Sequence, residues 1–436
     1  MNRFCLLLCA ATAIAGSSAH AQNNNDGSLY SRFGLGQLES FSTSQSTAMG
    51  TSGYGSHSFN YVNFGNPGSW SDQVLTRVAA GFTYQNITIA DAGENESRLS
   101  SGFLNSVQFG IPVMERRLGV AVGFAPFSRV SYSVQEPGVL ITSSPVADTV
   151  DYLVNFEGSG GLQQIVGGLG YRPHKNFSIG ISLHGFFGIV ENGRRTSFIE
   201  PASGSQYVET NVSVSTQLTG FTATLGTLFN AGTLLRDGDL LTVGAAFTLP
   251  TTLSAERVRS LGEELDRDTL GTVVDGDVEI PWRLAGGLTY QPDSRWTISA
   301  GGRLEPWTDF KSDLGFPGIE PGSTDRLSDY VQVGAGVEFL PAGSDLLAPY
   351  LSRIGYRLGF YHDRSYVSPL PDASIKTSAL AAGLSLPTLL SGTRLDINVE
   401  VGKRGSTEGG LVEDMFYRLS ANVNIGERWF QKPKLR

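Results

Sequence analysis

Residues 177–189, FSIGISLHGFFGI, decide the fold of this chain. Apolar side chains take every second position of this stretch, and small or polar residues stand between them. The two sets are Phe177, Ile179, Ile181, Leu183 and Phe187 on one side, and Ser178, Gly180, Ser182 and His184 on the other. Successive side chains of a strand point to opposite faces, so this alternation predicts a β-strand and not a helix.

The same period-two pattern recurs along the chain after about residue 75. In one segment Phe103, Val107, Phe109 and Ile111 share a face, and in another Ile280 shares a face with Leu284. The pattern predicts fourteen strands, near 75–89, 101–113, 118–133, 162–173, 177–199, 206–231, 240–254, 278–291, 296–311, 327–341, 351–363, 376–387, 393–404 and 415–429. An even number of strands, most of them longer than the ~9–11 residues that cross a bilayer, is typical of a bacterial transmembrane β-barrel.

The connections between these segments alternate in length. Long polar stretches lie at 90–100, 134–161, 255–277, 312–326, 364–375 and 405–414. Tight links lie at 115–117, 174–176, 232–239, 292–295 and 387–392. An up-and-down barrel has short periplasmic turns and longer outer loops, so this order predicts an antiparallel barrel with its short turns on the periplasmic side. The link at 200–205 is the exception, and its flanking strands are unusually long.

The first residues have the pattern of a secretion signal. Arg3 precedes an apolar run from Phe4 to Gly16, and Ala19-His20-Ala21 matches a cleavage site, so we expect residues 1–21 to be removed. Both cysteines, Cys5 and Cys9, belong to this segment. Without Arg3 the chain has 31 basic and 41 acidic residues, a net charge of 31 − 41 = −10. Such a chain is a poor candidate for nucleic-acid binding.

Residues 22–72 differ from the rest of the chain. They are rich in Ser, Gly and Asn with scattered aromatic residues, and they lack the period-two pattern. A hatch that plugs the lumen fits this composition, and an exposed N-terminal tail is the alternative. We expect the transmembrane barrel to occupy residues 73–430, followed by a short periplasmic tail at 431–436.

Several motifs, taken in order, resemble the FadL family of outer-membrane transporters for long-chain fatty acids and other hydrophobic compounds. Ala48-Met49-Gly50 and Asn66-Pro67-Gly68 are similar to that family's hatch, with Gly68 in place of the usual Ala. Phe124-Ala125-Pro126-Phe127 is similar to its third strand, and Trp307-Thr308-Asp309-Phe310 to a later strand end. The resemblance implies fourteen strands, an N-terminal hatch that contains Gly50, Asn66, Pro67 and Gly68, and a kinked third strand that opens the wall sideways.

An apolar solute that follows such a route needs weak, successive binding sites. Phe59, Phe64 and Trp70 are candidates for these sites, although aromatic residues near a barrel mouth more often pack or mark the membrane interface. Pro126 is the candidate for the gate, because a proline inside a strand cannot donate to its ladder. The start of a loop after Ala125 is the alternative.

Charged residues fall on the predicted inward faces. They are Arg303, Glu305, Arg353, Arg357, Asp396, Glu400 and Arg418. Arg357 is the candidate to receive a carboxylate head group. The alternative, which we favour, is a network of paired charges that braces the wall.

Enzyme chemistry is not expected. His57, His174, His184 and His362 have no zinc-type spacing, and no nucleophile elbow or nucleotide-binding loop is present. We therefore expect no catalytic residue, no metal and no cofactor. The expected partners are hydrophobic small molecules such as fatty acids or hydrocarbons, outer-membrane lipid, and the barrel-assembly machinery that reads an aromatic chain end such as Trp429-Phe430. A barrel that anchors or shuttles surface proteins during secretion, without a solute path, is the competing function.

Overall fold

A computed structural model describes residues 27–57, 59–93, 96–142, 148–199, 209–232, 238–262, 268–370, 373–390 and 392–429. Fourteen antiparallel strands form a closed barrel. They are β1 Thr76–Ala90, β2 Glu96–Met114, β3 in two segments Leu118–Pro126 and Tyr132–Thr142, β4 Asp148–His174, β5 Phe177–Ile199, β6 Thr210–Gly232, β7 in two segments Leu240–Thr248 and Thr251–Leu261, β8 in two segments Val274–Ile280 and Arg283–Gln291, β9 in two segments Trp296–Glu305 and Lys311–Ser312, β10 Tyr330–Phe339, β11 Gly355–Arg364, β12 Lys376–Pro387, β13 Arg394–Gly405 and β14 Glu413–Glu427.

The ladder of hydrogen bonds runs round the whole ring. Each strand pairs with the next along the chain, and β14 closes the ring on β1 from Thr76↔Glu427 to Ala90↔Glu413. Outward positions are apolar and exposed, as at Phe82, Leu183 and Phe221, while inward positions such as Ser182 are buried and polar. This is the lipid-facing and lumen-facing alternation of an outer-membrane-type barrel, and the predicted fourteen-stranded fold is confirmed.

The prediction of a long loop at 134–161 was wrong. β3 resumes at Tyr132, and β4 already begins at Asp148, 14 residues before its predicted start at residue 162. Val150, Tyr152, Val154 and Phe156 do alternate in this stretch, but Val150 and Val154 are buried on the inner side and the outward positions Asp151, Asn155 and Glu157 are polar, so the lipid-facing pattern of the other strands is absent. β5 and β6 each run for 23 residues, which agrees with the unusually long strands predicted on either side of the link at 200–205.

Other strand ends also differ from their predictions. β7 extends to Leu261 and β8 begins at Val274, so both strands enter the stretch 255–277 that was predicted as a loop. Pro306 ends the first segment of β9, and a 3-10 helix, Trp307–Asp309, follows it. Arg353 was placed on an inward strand face, but it lies in a 3-10 helix, Tyr350–Arg353, that precedes β11.

Two irregularities reverse predicted faces. A bulge opposite Gly81 and Phe82 shifts the register of β2, so Leu104 and Val107 face outward while Phe103 lines the interior. The break at Pro281 likewise separates a buried Ile280 from an exposed Leu284. Alternation alone does not show such irregularities, because one extra residue moves every later side chain to the other face.

The N-terminal segment, residues 27–73, lies against the inner wall. It contains a 3-10 helix Leu29–Arg32, a two-residue strand Gln37–Leu38, one short helix α1 Ser44–Ala48, and a second 3-10 helix Pro67–Asp72. Thr43 caps α1 by accepting a hydrogen bond from the Ser46 backbone N–H at 3.0 Å. Within the part of the chain that the structure describes, no helix is long and apolar enough to span a membrane.

An apolar core fills the barrel at the end where the longer loops lie, which we call the loop end; the opposite end is the turn end. The core combines inward side chains of several strands with those of the N-terminal segment and of the connections that follow β9 and β11. Its largest members include Leu35, Phe127, Leu162, Trp307, Phe310, Phe316 and Tyr366. The predicted signal at residues 1–21, Phe430 and the tail at 431–436 lie outside the described residues.

Candidate functional site

Glycines of the wall determine where the N-terminal segment lies. Among the described residues, an added Cβ would come within 3.0 Å of the segment's atoms at thirteen strand glycines, and at ten of these, on nine strands, the nearest segment atom belongs to its backbone, to Ala48 or to Asn66. We call these ten the glycine belt: Gly119, Gly170, Gly180, Gly226, Gly244, Gly287, Gly334, Gly336, Gly359 and Gly383. Glycine permits backbone to lie directly on backbone. The segment is therefore in contact with most of the ring.

The predicted hatch motif lies on this belt. Gly50 has φ +65, and a Cβ there would collide with the Phe360 backbone of β11. Asn66 is fully buried, and its side-chain amide donates to the carbonyls of Tyr54 at 2.8 Å and Thr227 at 2.9 Å. Its Oδ1 accepts from Gly68 N at 3.0 Å, which caps the 3-10 helix that Pro67 begins. Asn66 thus ties a turn of the segment to β6.

The three aromatic candidates occupy different environments. Trp70 is fully buried and donates through Nε1 to the Asn63 carbonyl at 2.7 Å. Phe64 is buried beside it and stacks on Phe41, with ring centroids 4.2 Å apart. Phe59 is 40 % exposed near the tight link between β2 and β3, where the Arg116 guanidinium lies 5.3 Å from its ring. The structure therefore does not bring the three residues together in one row.

A buried polar cluster fixes the end of the N-terminal segment. Asp72 is fully buried; it forms an ion pair with Arg172 of β4 and accepts a hydrogen bond from His57 Nδ1. Burial lowers the pKa of His57 to about 4, and Arg172 and Arg116 act in the same direction. The imidazole is therefore neutral near pH 7 and serves as a donor to Asp72.

Arg357 is at the centre of a charge network. It forms an ion pair with Glu338, donates to Asp396 at 3.1 Å, and donates to the Tyr61 hydroxyl at 2.7 Å. Burial raises the pKa of Tyr61 to about 12, and Arg357 opposes that shift. The guanidinium of Arg357 is thus engaged by two carboxylates and a phenol, as expected for a residue that braces the segment against the wall.

Apart from Arg353, the other predicted inward charges are paired as well. Glu305 accepts from Arg283 at 2.8 Å and lies 3.6 Å from Arg303, and Glu400 accepts from Arg418 at 2.9 Å. The Arg283–Glu305 and Arg418–Glu400 pairs join neighbouring strands. They follow the bracing pattern that we favoured for the inward charges.

His184 lies on the inner face of β5 among neutral partners. Its Nε2 is 3.1 Å from Ser182 Oγ and 2.9 Å from Thr224 Oγ1, and its Nδ1 is 3.3 Å from Gln164 Oε1. An amide oxygen, not a carboxylate, therefore orients the ring. This arrangement lacks the acid that would prepare a Ser–His pair for nucleophilic attack.

A ladder of the wall is interrupted beside Pro126. β2 and β3 pair only from Val107↔Phe124 downward to the turn end. Above that point, residues 96–106 of β2 pair with β1, the second segment of β3 pairs with β4, and no described pairing joins β2 to β3. We call this unpaired stretch the seam. It begins two residues before the predicted gate residue.

The N-terminal segment takes up the edge of β3 that β2 has left. Gln37–Leu38 pairs with Ser128–Arg129, and Glu39 N donates to the Phe127 carbonyl at 2.9 Å. Arg129 Nε donates to Glu39 Oε1 at 3.0 Å, and its guanidinium carbon lies 3.3 Å from the centre of the Phe103 ring of β2. One contact chain, Glu39–Arg129–Phe103, thus bridges the seam. Burial would raise the pKa of Glu39, but Arg129 and two further arginines outweigh burial and lower it.

A polar cavity reaches the seam. It has a volume of about 160 Å³ and lies between the N-terminal segment and the wall. Phe103 and Pro126 line it at the seam, and Asp363, Glu400, Arg404 and Arg418 are among its other lining residues. Its volume is below the ~300–1,000 Å³ of a usual small-molecule pocket.

Sequence reasoning did not identify the residues of the seam other than Pro126. Glu39 and Arg129 are isolated charges in segments without regular alternation, and the β2 bulge placed Phe103 on the wrong face. The glycine belt left a weak signal that we did not use, since Gly180, Gly226 and Gly244 stand at inward positions of their strands.

Comparisons with known proteins agree with the fold. The chain is similar to the P. putida toluene transporter TodX at 15% identity and TM-score 0.53, over 91% of this chain and 100% of that one. It is similar to a Pseudomonas aeruginosa FadL homologue at 11% identity and TM-score 0.56, over 89% of this chain and 98% of that one. It is also similar to the Ralstonia pickettii toluene transporter TbuX at 15% identity and TM-score 0.54, over 90% of this chain and 99% of that one. The resemblance to FadL-type barrels predicted from the motifs is confirmed at the level of the fold.

Two of these solved structures are described as toluene transporters and the third as a FadL homologue, and none of the three is described as an enzyme. No curated protein matches the sequence. A family model described as BamG matches residues 1–436, the full length of the sequence, and the protein therefore belongs to the BamG family.

Proposed function

We propose that this protein is a channel in the bacterial outer membrane through which hydrophobic small molecules pass between the lumen and the membrane by way of the seam. The single observation that carries the proposal is that the ladder between β2 and β3 stops at Val107↔Phe124, where the lumen cavity reaches Phe103 and Pro126. An interrupted ladder exposes a path through the wall that a continuous one closes.

The position of the seam suits exchange with a bilayer. Outward residues Leu104 and Val107 of β2 and Phe82 and Tyr84 of β1 are apolar and exposed beside it, whereas Arg98 and Ser100 follow towards the loop end. The lower part of the seam therefore lies at the depth of acyl chains in the loop-side leaflet. A solute that leaves there enters hydrocarbon without crossing water.

The N-terminal segment would act as the hatch of this channel. We infer that Glu39 holds Arg129 over Phe103 and so keeps the seam closed, and that displacement of residues 27–41 releases Arg129. Long-chain fatty acids fit as the solute class, because the charged residues that line the cavity can receive a head group while the chain points through the seam. Arg404 and Arg418 are better placed for this role than Arg357, because they line the cavity and Arg357 is not among its lining residues.

Cross-linking the seam tests the proposal. Phe103→Cys and Arg129→Cys, joined by a short bismaleimide, hold the two strands together, and Val107→Cys with Phe124→Cys is the matched pair where the strands already hydrogen-bond. A deletion strain that carries each variant is given labelled oleate or toluene. We expect uptake to fall on cross-linking at 103 and 129 and to stay at the uncross-linked level at 107 and 124. Equal uptake with both cross-links contradicts transport through the seam.

A second function is favoured by a specific observation. The loop end is filled by an apolar core that includes Trp307 and Phe316, and the cavity that reaches the seam is small and polar. A sealed barrel with ordered loops suits a role as an anchor or shuttle in surface-protein secretion. A deletion strain that takes up oleate and toluene normally but loses proteins from its surface supports this function over the channel.

A further inference from the structure

The connection between β10 and β11 departs from the other links at the turn end. It runs over residues 340–354, whereas residues 115–117, 175–176 and 292–295 suffice at three other turns of the same end. Its sequence, LPAGSDLLAPYLSRI, holds one acid and one base in 15 residues. Short turns are the rule at this end of an outer-membrane barrel, so the length and the apolar composition of this connection call for a reason.

The connection presents its apolar side chains to the outside. Leu346 is 82 % exposed, Leu347 96 % and Leu351 69 %. Leu389 and Leu390 of the β12–β13 turn are exposed too, and that turn lies beside the connection, since Arg394 Nη2 donates to the Arg353 carbonyl at 3.4 Å. Apolar side chains grouped in this way mark a surface that is not left in water.

This surface continues the outward apolar belt of the barrel. The hydroxyl of Tyr356, an outward residue of β11, donates to the Leu351 carbonyl at 3.2 Å. On the neighbouring strands, Trp296 and Phe339 stack with ring centroids 4.3 Å apart at the same end. Tyr and Trp side chains gather where a bilayer meets water, so the connection begins at the membrane interface.

The length of β11 gives the physical reason for the connection. Its outward apolar residues are Tyr356, Leu358 and Phe360, and His362 and Arg364 follow at the next outward positions. The outward apolar stretch from Tyr356 to Phe360 is five residues long, whereas a tilted strand needs ~9–11 residues to cross the hydrocarbon layer. The part of the hydrocarbon layer that β11 leaves uncovered is on the turn side, where Leu346, Leu347 and Leu351 lie.

We propose that residues 340–353, with Leu389 and Leu390, insert into the turn-side leaflet of the bilayer and complete the apolar belt where β11 is short. The occupant of this surface is lipid, at the boundary between head groups and acyl chains. The inference rests on the proposed place of the barrel in the outer membrane, but it is independent of any solute path.

Site-directed fluorescence tests the insertion. The two cysteines of the chain both lie in the predicted signal segment, so Leu347→Cys is labelled alone in the processed protein with an environment-sensitive nitrobenzoxadiazole group. The full-length processed protein is reconstituted in phosphatidylcholine vesicles with and without doxyl-labelled lipid. Lys175→Cys, in the polar turn between β4 and β5, is the matched control for a turn in water, and Leu358→Cys, on the lipid face of β11, is the control for a residue in the bilayer.

We expect the label at 347 to emit at shorter wavelength than the label at 175 and to be quenched several-fold more by doxyl lipid. The proposal is overturned if iodide quenches the labels at 347 and 175 alike while the label at 358 still senses lipid. That result would leave the surface free for a protein partner. If the label at 358 also fails to sense lipid, the barrel does not lie in the bilayer as we propose, and the failure belongs to the proposed function.

Discussion

The two halves of the N-terminal segment are attached to the barrel in different ways. Residues 44–73, the anchor half, lie backbone to backbone on the glycine belt and are tied to it by Asn66 and by the Arg357 network. Residues 27–41, the latch half, pair with the edge of β3 through Gln37–Leu38 and reach β2 only through Arg129.

The difference separates a fixed part of the segment from a part that can open. Close backbone contact with rigid strands has no alternative arrangement, because a packed wall yields little. The latch half is also buried, with Tyr30 and Leu35 in the apolar core, but its attachment at the seam is a two-residue pairing and one ion pair, which contacts with water can replace. Movement that opens the seam is therefore expected in the latch half, while the anchor half stays in place. The following predictions test this contrast, from the largest expected effect to the smallest.

The largest effect is expected from Arg357→Met. The substitution leaves the carboxylates of Glu338 and Asp396 buried without their cation, and Gln45 and Ser44 of the anchor half bind these same carboxylates. Loss of one partner of a buried ion pair destabilises by about 3–5 kcal/mol. Urea titration in lipid vesicles measures the loss, and Arg98→Met, which removes an exposed pair with Glu96, is the control that should change little. Normal stability together with reduced oleate uptake would instead restore Arg357 as a receiver of carboxylate, whereas unchanged uptake with normal folding would rule out that role.

Gly334→Ala should displace the anchor half. The added Cβ would meet the Gly50 carbonyl oxygen, a backbone atom that cannot rotate away. Overpacking of this kind destabilises by about 3 kcal/mol at the upper end of its usual range. Hydrogen exchange of residues 44–73, followed by mass spectrometry, reports the displacement. Gly193→Ala, where the nearest atom would be 3.9 Å away, is the matched control. Equal exchange in the two variants would show that the belt does not hold the segment.

Acidification should loosen the anchor half through His57. When the anchor half lies on the wall, the pKa of His57 is about 4. When the anchor half is released, that pKa returns to the ordinary value near 6.5. The released state therefore binds the proton more readily, so the stability of docking is complete above pH 6.5 and is lost as the pH falls towards 4. At pH 5 the loss is about 2 kcal/mol. Exchange of residues 59–73, corrected for the intrinsic rate at each pH, measures it, and His57→Gln should remove the pH dependence. If the exchange of residues 59–73 still depends on pH in that variant, another titratable group causes the effect.

The smallest effect on stability, about 1 kcal/mol, is expected from Glu39→Gln. The variant removes the charge that holds Arg129, although both side chains keep about a fifth of their surface exposed. Exchange should rise in residues 27–41 and stay unchanged in residues 44–73, and entry of toluene should become faster. If both halves exchange faster together, the segment moves as one body and the division proposed here is wrong.

Much of the barrel was predictable because its physical cause is local. A lipid-facing side chain at every second position is a requirement that each strand meets by itself, and it marked fourteen strands. The predictions were wrong where this requirement ends. Residues 148–157 of β4 alternate, but they place apolar side chains such as Val150 and Val154 inward and polar ones outward, and Arg353 follows a turn that alternation does not describe. The candidate site was predicted less completely: Asn66, Pro67 and Pro126 were found by resemblance, while Glu39, Phe103 and Arg129 were not.

By itself, the sequence determined that this chain builds a fourteen-stranded barrel, since alternation, strand length and turn length are properties of short stretches of chain. Only the tertiary structure decided where the N-terminal segment lies, which glycines receive it and where the wall is left unpaired. Those features depend on contacts between residues hundreds of positions apart, such as Gly50 with Gly334, and on a one-residue bulge that turns Phe103 inward. No local pattern records either of them.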